Sequence, residues 1–138
     1  MNAYRWDQLH VGLRHEFTAI VTRAMLDRFR ADTGDVNPLH QDAAFAATRG
    51  HADVVVFGML TASFYSTLVG VHLPGRNALL HSVDVAFLKP VLPDDTLTIS
   101  GEITYLNDAF QQAEIAGAIR NQHGVKVSRA TIKAGVRE

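Results

Sequence analysis

The chain has 138 residues, of which 47% are hydrophobic and 20% charged, so it is large enough for one domain with a buried core. Thirteen basic residues against fourteen acidic ones give a net charge of −1, and no two basic residues are adjacent. This balance excludes partners that bulk positive charge would attract, namely nucleic acid and anionic membranes. The absence of cysteine excludes disulfides, thiolate catalysis and cysteine-ligated metals.

The N-terminal sequence has charged residues at Arg5, Asp7 and Arg14 and no apolar run of signal-peptide length. No segment approaches the roughly 20 apolar residues that a membrane span requires. No repeat, low-complexity tract or linker divides the chain. These features predict a single domain over residues 1–138, located in the cytoplasm.

The first half of the chain predicts one strand followed by helices. Residues 11–21 end in a run that favours a strand, and Thr22 can cap a helix whose apolar positions follow helical spacing. Gly34 should end that helix, and Asp42 can cap a second, shorter one. Residues 59–71 are apolar or small on nearly every side, which predicts a buried helix.

The second half predicts a meander of antiparallel strands. Turn-forming residues separate four segments in which apolar side chains alternate with others. An antiparallel sheet wrapped around one apolar helix satisfies this order, so the predicted fold class is α+β. The predicted strands cover residues 79–88, 97–105, 113–119 and 125–134, and alternation in the first of them predicts Leu79, His81, Val83, Val85 and Phe87 on one face.

The strongest chemical signal is the segment TGDVNPLH at residues 33–40. Asp35 follows a glycine and precedes Asn-Pro, which predicts a tight, rigid turn, and His40 is expected at the start of the following helix. A carboxylate and an imidazole held around one water molecule can perform acid–base chemistry on an activated double bond. The residues alone leave a second interpretation open, because a Gly-Asp turn before a helix cap is also an ordinary loop.

The segment from Phe29 to Ala46 resembles the signature of the MaoC-like dehydratases, which include the R-specific enoyl-CoA hydratases. The family pattern has an aromatic residue, then Gly-Asp-x-Asn-Pro-Leu/Ile/Val-His, then a small residue, and every element is present. The resemblance continues downstream in the family's order through Gly58-Met59-Leu60-Thr61-Ala62-Ser63, Leu73-Pro74-Gly75, Phe87-Leu88-Lys89-Pro90-Val91 and Asp94-Asp95-Thr96.

The resemblance implies a hot-dog fold, in which a curved antiparallel sheet wraps around a long central helix. It also implies that Asp35 and His40 are the catalytic pair of a hydratase or dehydratase that interconverts trans-2-enoyl and (R)-3-hydroxyacyl thioesters. Backbone N–H groups at the start of the central helix or in the loop at residues 75–77 are candidate donors to the thioester carbonyl. The predicted substrate-binding residues are Asn37, Phe57, Gly58, Met59, Ser66, Gly75 and Asn77.

Two residues depart from the family pattern. Phe57 stands where many relatives have histidine, and Asn77 stands where relatives often have glycine. They suggest a non-catalytic subunit that binds acyl thioesters as one alternative function. A hot-dog thioesterase is another, because that fold hosts both chemistries. The dispersed histidines do not show metal-ligand spacing, so no metal is predicted.

The expected partner is an acyl thioester of CoA or of an acyl-carrier protein. CoA or phosphopantetheine belongs to that substrate, so no separate cofactor is predicted. An anionic carrier would need cations near the site, and Arg76, Lys89 and Arg129 are candidates. The family resemblance and the low polarity of the predicted helix suggest a homodimer or higher homo-oligomer, without nucleic-acid or membrane partners.

Overall fold

The computed structural model describes residues 1–137, which form five strands and three α-helices. Short 3₁₀ turns occur at Trp6–Gln8 and Pro38–His40, and a π-helical turn at Leu68–His72 continues the third helix. Within residues 1–137, none of the helices combines the length and the apolar character needed to cross a membrane. The elements are β1 (Arg14–Ile20), α1 (Arg23–Thr33), α2 (Ala43–Thr48), α3 (Gly58–Thr67), β2 (Ala78–Phe87), β3 (Thr96–Asn107), β4 (Gln112–Arg120) and β5 (Lys126–Val136).

All five strands form one antiparallel sheet in the order β1-β3-β4-β5-β2. The meander β3-β4-β5 occupies the centre, and β1 and β2 are the two edges. Helix α3 connects to the start of β2 and packs on the buried face of the sheet. This arrangement confirms the predicted α+β fold with a sheet around a central helix.

The predicted helix ends are confirmed by their capping geometry. The Thr22 side chain accepts a hydrogen bond from the Met25 N–H, and Gly34 ends α1 in the left-handed conformation with φ 74°. The Asp42 carboxylate accepts from the N–H groups of Ala44 and Phe45. These side chains satisfy backbone groups that a helix end leaves unpaired, so local sequence fixes where α1 and α2 begin.

Helix α3 lies against the sheet where two glycines pair across neighbouring strands. Gly101 of β3 is opposite Gly117 of β4. A Cβ at Gly101 would lie 2.7 Å from Cδ2 of Leu68, and a Cβ at Gly117 would lie 2.7 Å from Cε1 of Tyr65. The absence of these two side chains therefore makes room for the large apolar residues of the helix.

The Tyr65 ring is fully buried, and its hydroxyl group lies 3.0 Å from Oγ of Ser128 on β5. Burial raises the pKa of Tyr65 to about 12, although the hydrogen bond to Ser128 opposes part of that rise. Because each hydroxyl is the other's partner, both polar groups can be accommodated in the core. This contact fixes the side of α3 that faces the sheet.

The prediction that α3 is buried on every side is wrong for the single chain. Thr61, Tyr65 and Leu68 face the core, whereas Met59, Ser63 and Ser66 are exposed. The exposed residues follow helical spacing, so they form one continuous face. Composition could not separate the two faces, because both consist of apolar or small residues.

Bulges interrupt the predicted alternation of β2 and of β3. His81 is the unpaired residue of a bulge between Leu80 and Ser82, so Leu80 rather than Leu79 pairs opposite the buried Ala134. Val83, Val85 and Phe87 keep their predicted common face, whereas the assignments of Leu79 and His81 to it are wrong. A bulge at Thr104 likewise leaves Tyr105 57% exposed. The alternation of Ala113, Ile115, Gly117 and Ile119 in β4 is confirmed.

Adding a methyl group at position 117 should destabilise the fold, because its nearest neighbour would be the buried Tyr65 ring at 2.7 Å. We expect Gly117→Ala to lower the free energy of unfolding by about 1–3 kcal/mol in chemical denaturation. Ala116→Ser, on the exposed face of the same strand, serves as the control and should change it by less than about 0.5 kcal/mol. Equal stability of both variants would contradict the close helix–sheet contact.

Candidate functional site

Asp35 lies on the turn that follows α1, as predicted. The left-handed Gly34 ends the helix, and one carboxylate oxygen of Asp35 accepts a hydrogen bond from the Asn37 N–H at 3.1 Å. Within residues 1–137 the second carboxylate oxygen has no hydrogen-bonding partner. The turn therefore fixes the side chain through one oxygen and leaves the other available.

His40 is held by the backbone of a different segment. It is the last residue of the 3₁₀ turn Pro38–His40, which precedes α2, so it lies slightly earlier than the predicted helix start. Its Nδ1 lies 2.6 Å from the carbonyl oxygen of Val55, while the Val55 N–H donates to the carbonyl of Leu39 at 3.0 Å. A carbonyl can only accept, so Nδ1 carries the hydrogen and Nε2 of the neutral ring is the free proton acceptor.

Phe57 supports the histidine ring from the core side. Its side chain is 2% exposed, and its ring centroid lies 4.2 Å from that of His40 and 4.8 Å from that of Phe29. Aromatic rings at such separations make favourable tilted contacts. An apolar ring is therefore packed behind His40 at the position where this chain departs from the family pattern.

Asp35 and His40 line the same cavity. It has a volume of about 530 Å³ and lies between the end of α1 and the start of α3. The predicted residues Phe57, Gly58 and Met59 also line it, so five of the nine predicted site residues are brought together. The remaining lining residues, Phe29, Thr33 and Phe87, were not among the predicted site residues.

A second cavity of about 380 Å³ adjoins the first. His40, Gly58 and Phe87 line both cavities, so the histidine is accessible from two sides. The walls of the second cavity are mainly apolar, and the cationic side chain of Lys89 contributes to them. Its other lining residues are Val55, Val56, Thr61, Leu88, Pro90, Val91 and Val127.

The largest of these three concavities, about 670 Å³, lies elsewhere, on the exposed face of the sheet. Charged side chains such as Arg14, Glu102 and Arg129 line it, and neither Asp35 nor His40 does. A choice of site by cavity volume alone would therefore select a surface that lacks both Asp35 and His40. The cavity that contains both Asp35 and His40 is the better candidate, because it places a proton-accepting pair among largely apolar walls.

The first turn of α3 offers unpaired backbone donors at the junction of the two cavities. The Phe57 carbonyl accepts from the Thr61 N–H, which leaves the preceding N–H groups, beginning with that of Gly58, without acceptors in the helix. In the alternative loop, the Gly75 N–H donates to Val69 and the Arg76 N–H donates to Asn2. These bonds favour the Gly58 end over the loop as the carbonyl-binding element.

The other four predicted substrate-binding residues lie outside both cavities. Asn37 caps the 3₁₀ turn by accepting from the Leu39 N–H, and Ser66 lies on the exposed face of α3. Gly75, with φ 91°, packs against the backbone of Asn2, and Asn77 donates to the carbonyl of Tyr4. In the single chain these contacts are structural, and a role in substrate binding stays a prediction for all four.

The residues that sequence reasoning missed differ in the signals they carry. Phe87 belongs to a segment that resembles the family, so its proximity to the site could have been inferred. Val55 acts through its carbonyl, which every amino acid has, and no pattern in the sequence could have indicated it. Thr61 stands among small residues of α3 that are equally consistent with helix packing.

Residues 9–126 match the family model described as MaoC like domain. The (R)-specific enoyl-CoA hydratase of Aeromonas caviae is 35% identical over 116 residues, covering 84% of this chain and 87% of that protein. The 3-hydroxybutyryl-CoA dehydratase of Methylorubrum extorquens is 29% identical over 80% of this chain and 71% of that protein. Among solved structures, the A. caviae (R)-hydratase superposes with a TM-score of 0.89 at 32% identity, covering 94% of this chain and 98% of that one. The R-hydratase PhaJ1 from Pseudomonas aeruginosa also gives a TM-score of 0.89, at 28% identity, and covers 96% and 85%.

Replacing Phe57 by the histidine that many relatives carry should be unfavourable here. The new ring nitrogens would be buried between two aromatic rings, so we expect Phe57→His to reduce the free energy of unfolding by about 1–3 kcal/mol. Phe110→His, at a position that is 71% exposed, is the matched control and should have little effect in the same urea titration. A Phe57→His variant as stable as wild type would mean that a donor or water pairs with the new ring.

Proposed function

The chain belongs to the MaoC-like dehydratase family, and from that premise we propose that Asp35 and His40 catalyse its interconversion of trans-2-enoyl and (R)-3-hydroxyacyl thioesters. The class of reaction, hydration and dehydration of acyl thioesters, follows from relatives named as hydratases and dehydratases. The assignment of residues rests on one observation above all. Both side chains line one cavity, and the contact of His40 Nδ1 with the Val55 carbonyl leaves Nε2 as the proton acceptor of the ring.

In the hydration direction, a water molecule bound between the Asp35 carboxylate and His40 Nε2 would attack C3 of the enoyl group. The pair accepts one proton from the water as the C3–O bond forms, and one proton is delivered to C2. The reverse reaction removes the C2 proton and expels the hydroxyl group as water. Positioned acid–base groups of this kind contribute roughly 10²–10⁴-fold to a rate.

Negative charge develops on the thioester oxygen while the C3–O bond forms. The unpaired Gly58 N–H at the start of α3 is suited to bind that oxygen, because a fixed donor among largely apolar walls stabilises developing charge. Gly58 also lies beside His40 in both cavities. The carbonyl and the reacting double bond can therefore be held at the same junction.

The carrier is proposed to be CoA or the phosphopantetheine of an acyl-carrier protein, with no cofactor beyond that group. Of the three candidate cations, Lys89 lines a cavity that contains His40, whereas Arg129 lines the concavity on the exposed sheet face. Lys89 is therefore the preferred contact for an anionic carrier. A cytoplasmic location also stays a prediction.

Substitution of either catalytic residue should abolish most of the activity without unfolding the protein. We expect Asp35→Asn and His40→Ala to lower kcat for crotonyl-CoA hydration by about 10²-fold or more, measured as loss of the enone absorbance. Asp32→Asn and His10→Ala, both exposed and outside the two cavities, are the matched controls. Wild-type rates in both catalytic variants would refute the proposed roles.

A thiol reagent in the same assay separates hydration from thioester hydrolysis. A hydratase consumes the double bond and leaves the thioester intact, whereas a thioesterase releases free CoA. We expect no thiol release on the timescale of hydration. Thiol release with an unchanged double bond would instead support the thioesterase alternative.

We also propose that the chain forms a homodimer through β2 and the exposed face of α3. Strand β2 is a ten-residue edge strand with exposed leucines at Leu79 and Leu80, and such an edge favours pairing with another strand. The exposed α3 face, with Met59 and Ser66, adjoins the same part of the molecule. A second copy would cover both.

A lysine on that edge should weaken the dimer. In light scattering coupled to size exclusion, wild type is expected at twice the 15.1 kDa of one chain, and Leu79→Lys should shift mass toward the monomer. Ile20→Lys is the matched control, because Ile20 has similar exposure, 54% against 52%, but ends the opposite edge strand. A monomeric wild type, or equal masses for both variants, would exclude this interface.

A further inference from the structure

Thr61 has a buried hydroxyl group that nothing in the fold satisfies. The residue is 2% exposed, and within residues 1–137 it has the only buried side-chain oxygen or nitrogen that lacks a hydrogen-bonding partner. Leaving such a group unpaired is unfavourable in a folded protein. Folded proteins pair nearly all their buried polar groups, so an exception beside a cavity points to a ligand that supplies the partner.

The position of Thr61 on α3 brings this hydroxyl close to the proposed reaction site. Thr61 follows Gly58 by three residues, so the two lie on the same side of the helix, and both line the second cavity together with His40. Side chains of a helix lean toward its N-terminus, so the Thr61 side chain lies over the turn that begins at Gly58. The rest of the wall is largely apolar and offers few competing polar partners.

We propose that the Thr61 hydroxyl is a second hydrogen-bond donor to the thioester carbonyl oxygen, beside the Gly58 N–H. This inference rests on the proposed function and adds a catalytic residue to it. As water adds to C3, the electrons of the C2–C3 double bond move toward the carbonyl oxygen, and two donors stabilise the resulting charge better than one. Because the charge is larger in the transition state than in the substrate, the hydroxyl should affect kcat more than KM.

The isosteric substitution Thr61→Val tests this role. It removes the hydroxyl and preserves the shape, so we expect kcat for crotonyl-CoA hydration to fall roughly 10- to 100-fold with KM changed less than about threefold. Thr61→Ser retains the hydroxyl and should keep kcat within about threefold of wild type. Thr61→Ala lacks both groups and should lose as much kcat as the valine variant.

Stability and spectroscopy separate this role from a packing role. Since the unpaired hydroxyl is unfavourable in the free protein, Thr61→Val should have a thermal midpoint equal to or above that of wild type. The absorbance of bound 2,4-hexadienoyl-CoA, which shifts to longer wavelength when its carbonyl is polarised, should shift less in Thr61→Val than in Thr61→Ser. This spectral comparison does not depend on turnover.

Three results would overturn the inference. They are a Thr61→Val variant with wild-type kcat and spectral shift, a serine variant as slow as the valine variant, and a spectral shift that is equal in all variants. Any of these, obtained while Asp35→Asn and His40→Ala remain inactive, would reject the role of Thr61 and leave the proposed function intact. Failure of the proposed function itself would appear as wild-type rates in those two variants.

Discussion

The structure depends on how closely α3 can approach the sheet. Gly101 and Gly117 pair at the centre of the sheet, and the side chains of Leu68 and Tyr65 occupy the space that two Cβ atoms would need. This contact, together with the hydrogen bond from Tyr65 to Ser128, sets the depth and rotation of the helix. The first turn of α3 forms part of both cavities, so helix depth also determines where the unpaired N–H groups of that turn lie relative to His40.

The site combines pieces that are distant in sequence, each fixed by a different kind of interaction. Asp35 is oriented by a turn within its own segment, and His40 by the backbone of Val55 and the ring of Phe57. The donors of α3 are fixed by helix geometry. Such independent supports hold the reacting groups before substrate arrives, which is what acid–base and electrostatic catalysis require.

Much of the fold was predictable, because its signals are local. Short segments determine the helix caps at Thr22 and Asp42 and the alternation of β4, and the motif contains the two residues, Asp35 and His40, that line the candidate cavity. The bulges at His81 and Thr104 were not predictable, since a bulge arises from how two distant strands pair. For the same reason, sequence could not separate the two faces of α3, whose residues have similar polarity.

Among the predicted site residues, Asp35, His40 and those at the start of α3 line one cavity, whereas the other four, Asn37 among them, do not join them in one chain. A family resemblance indicates which positions correspond along the sequence. It does not indicate which subunit's surface the side chain at each position faces. The contacts of Gly75 and Asn77 with the N-terminal segment explain both residues without substrate. Thr61 is the opposite case. Its place in the sequence fits a packing residue, and only the coordinates show that its hydroxyl group lacks a hydrogen-bonding partner.

Position 55 matters through its backbone carbonyl, which is hydrogen-bonded to His40, and not through the identity of its side chain. Every residue supplies the same carbonyl, so the ring's protonation pattern can survive wide variation at position 55 provided that the backbone path is kept. An experimenter who surveyed substitutions there would find tolerance and could mistake it for irrelevance. Changes that shift the chain path, such as an insertion or deletion between residues 53 and 57, would be needed to reveal the dependence.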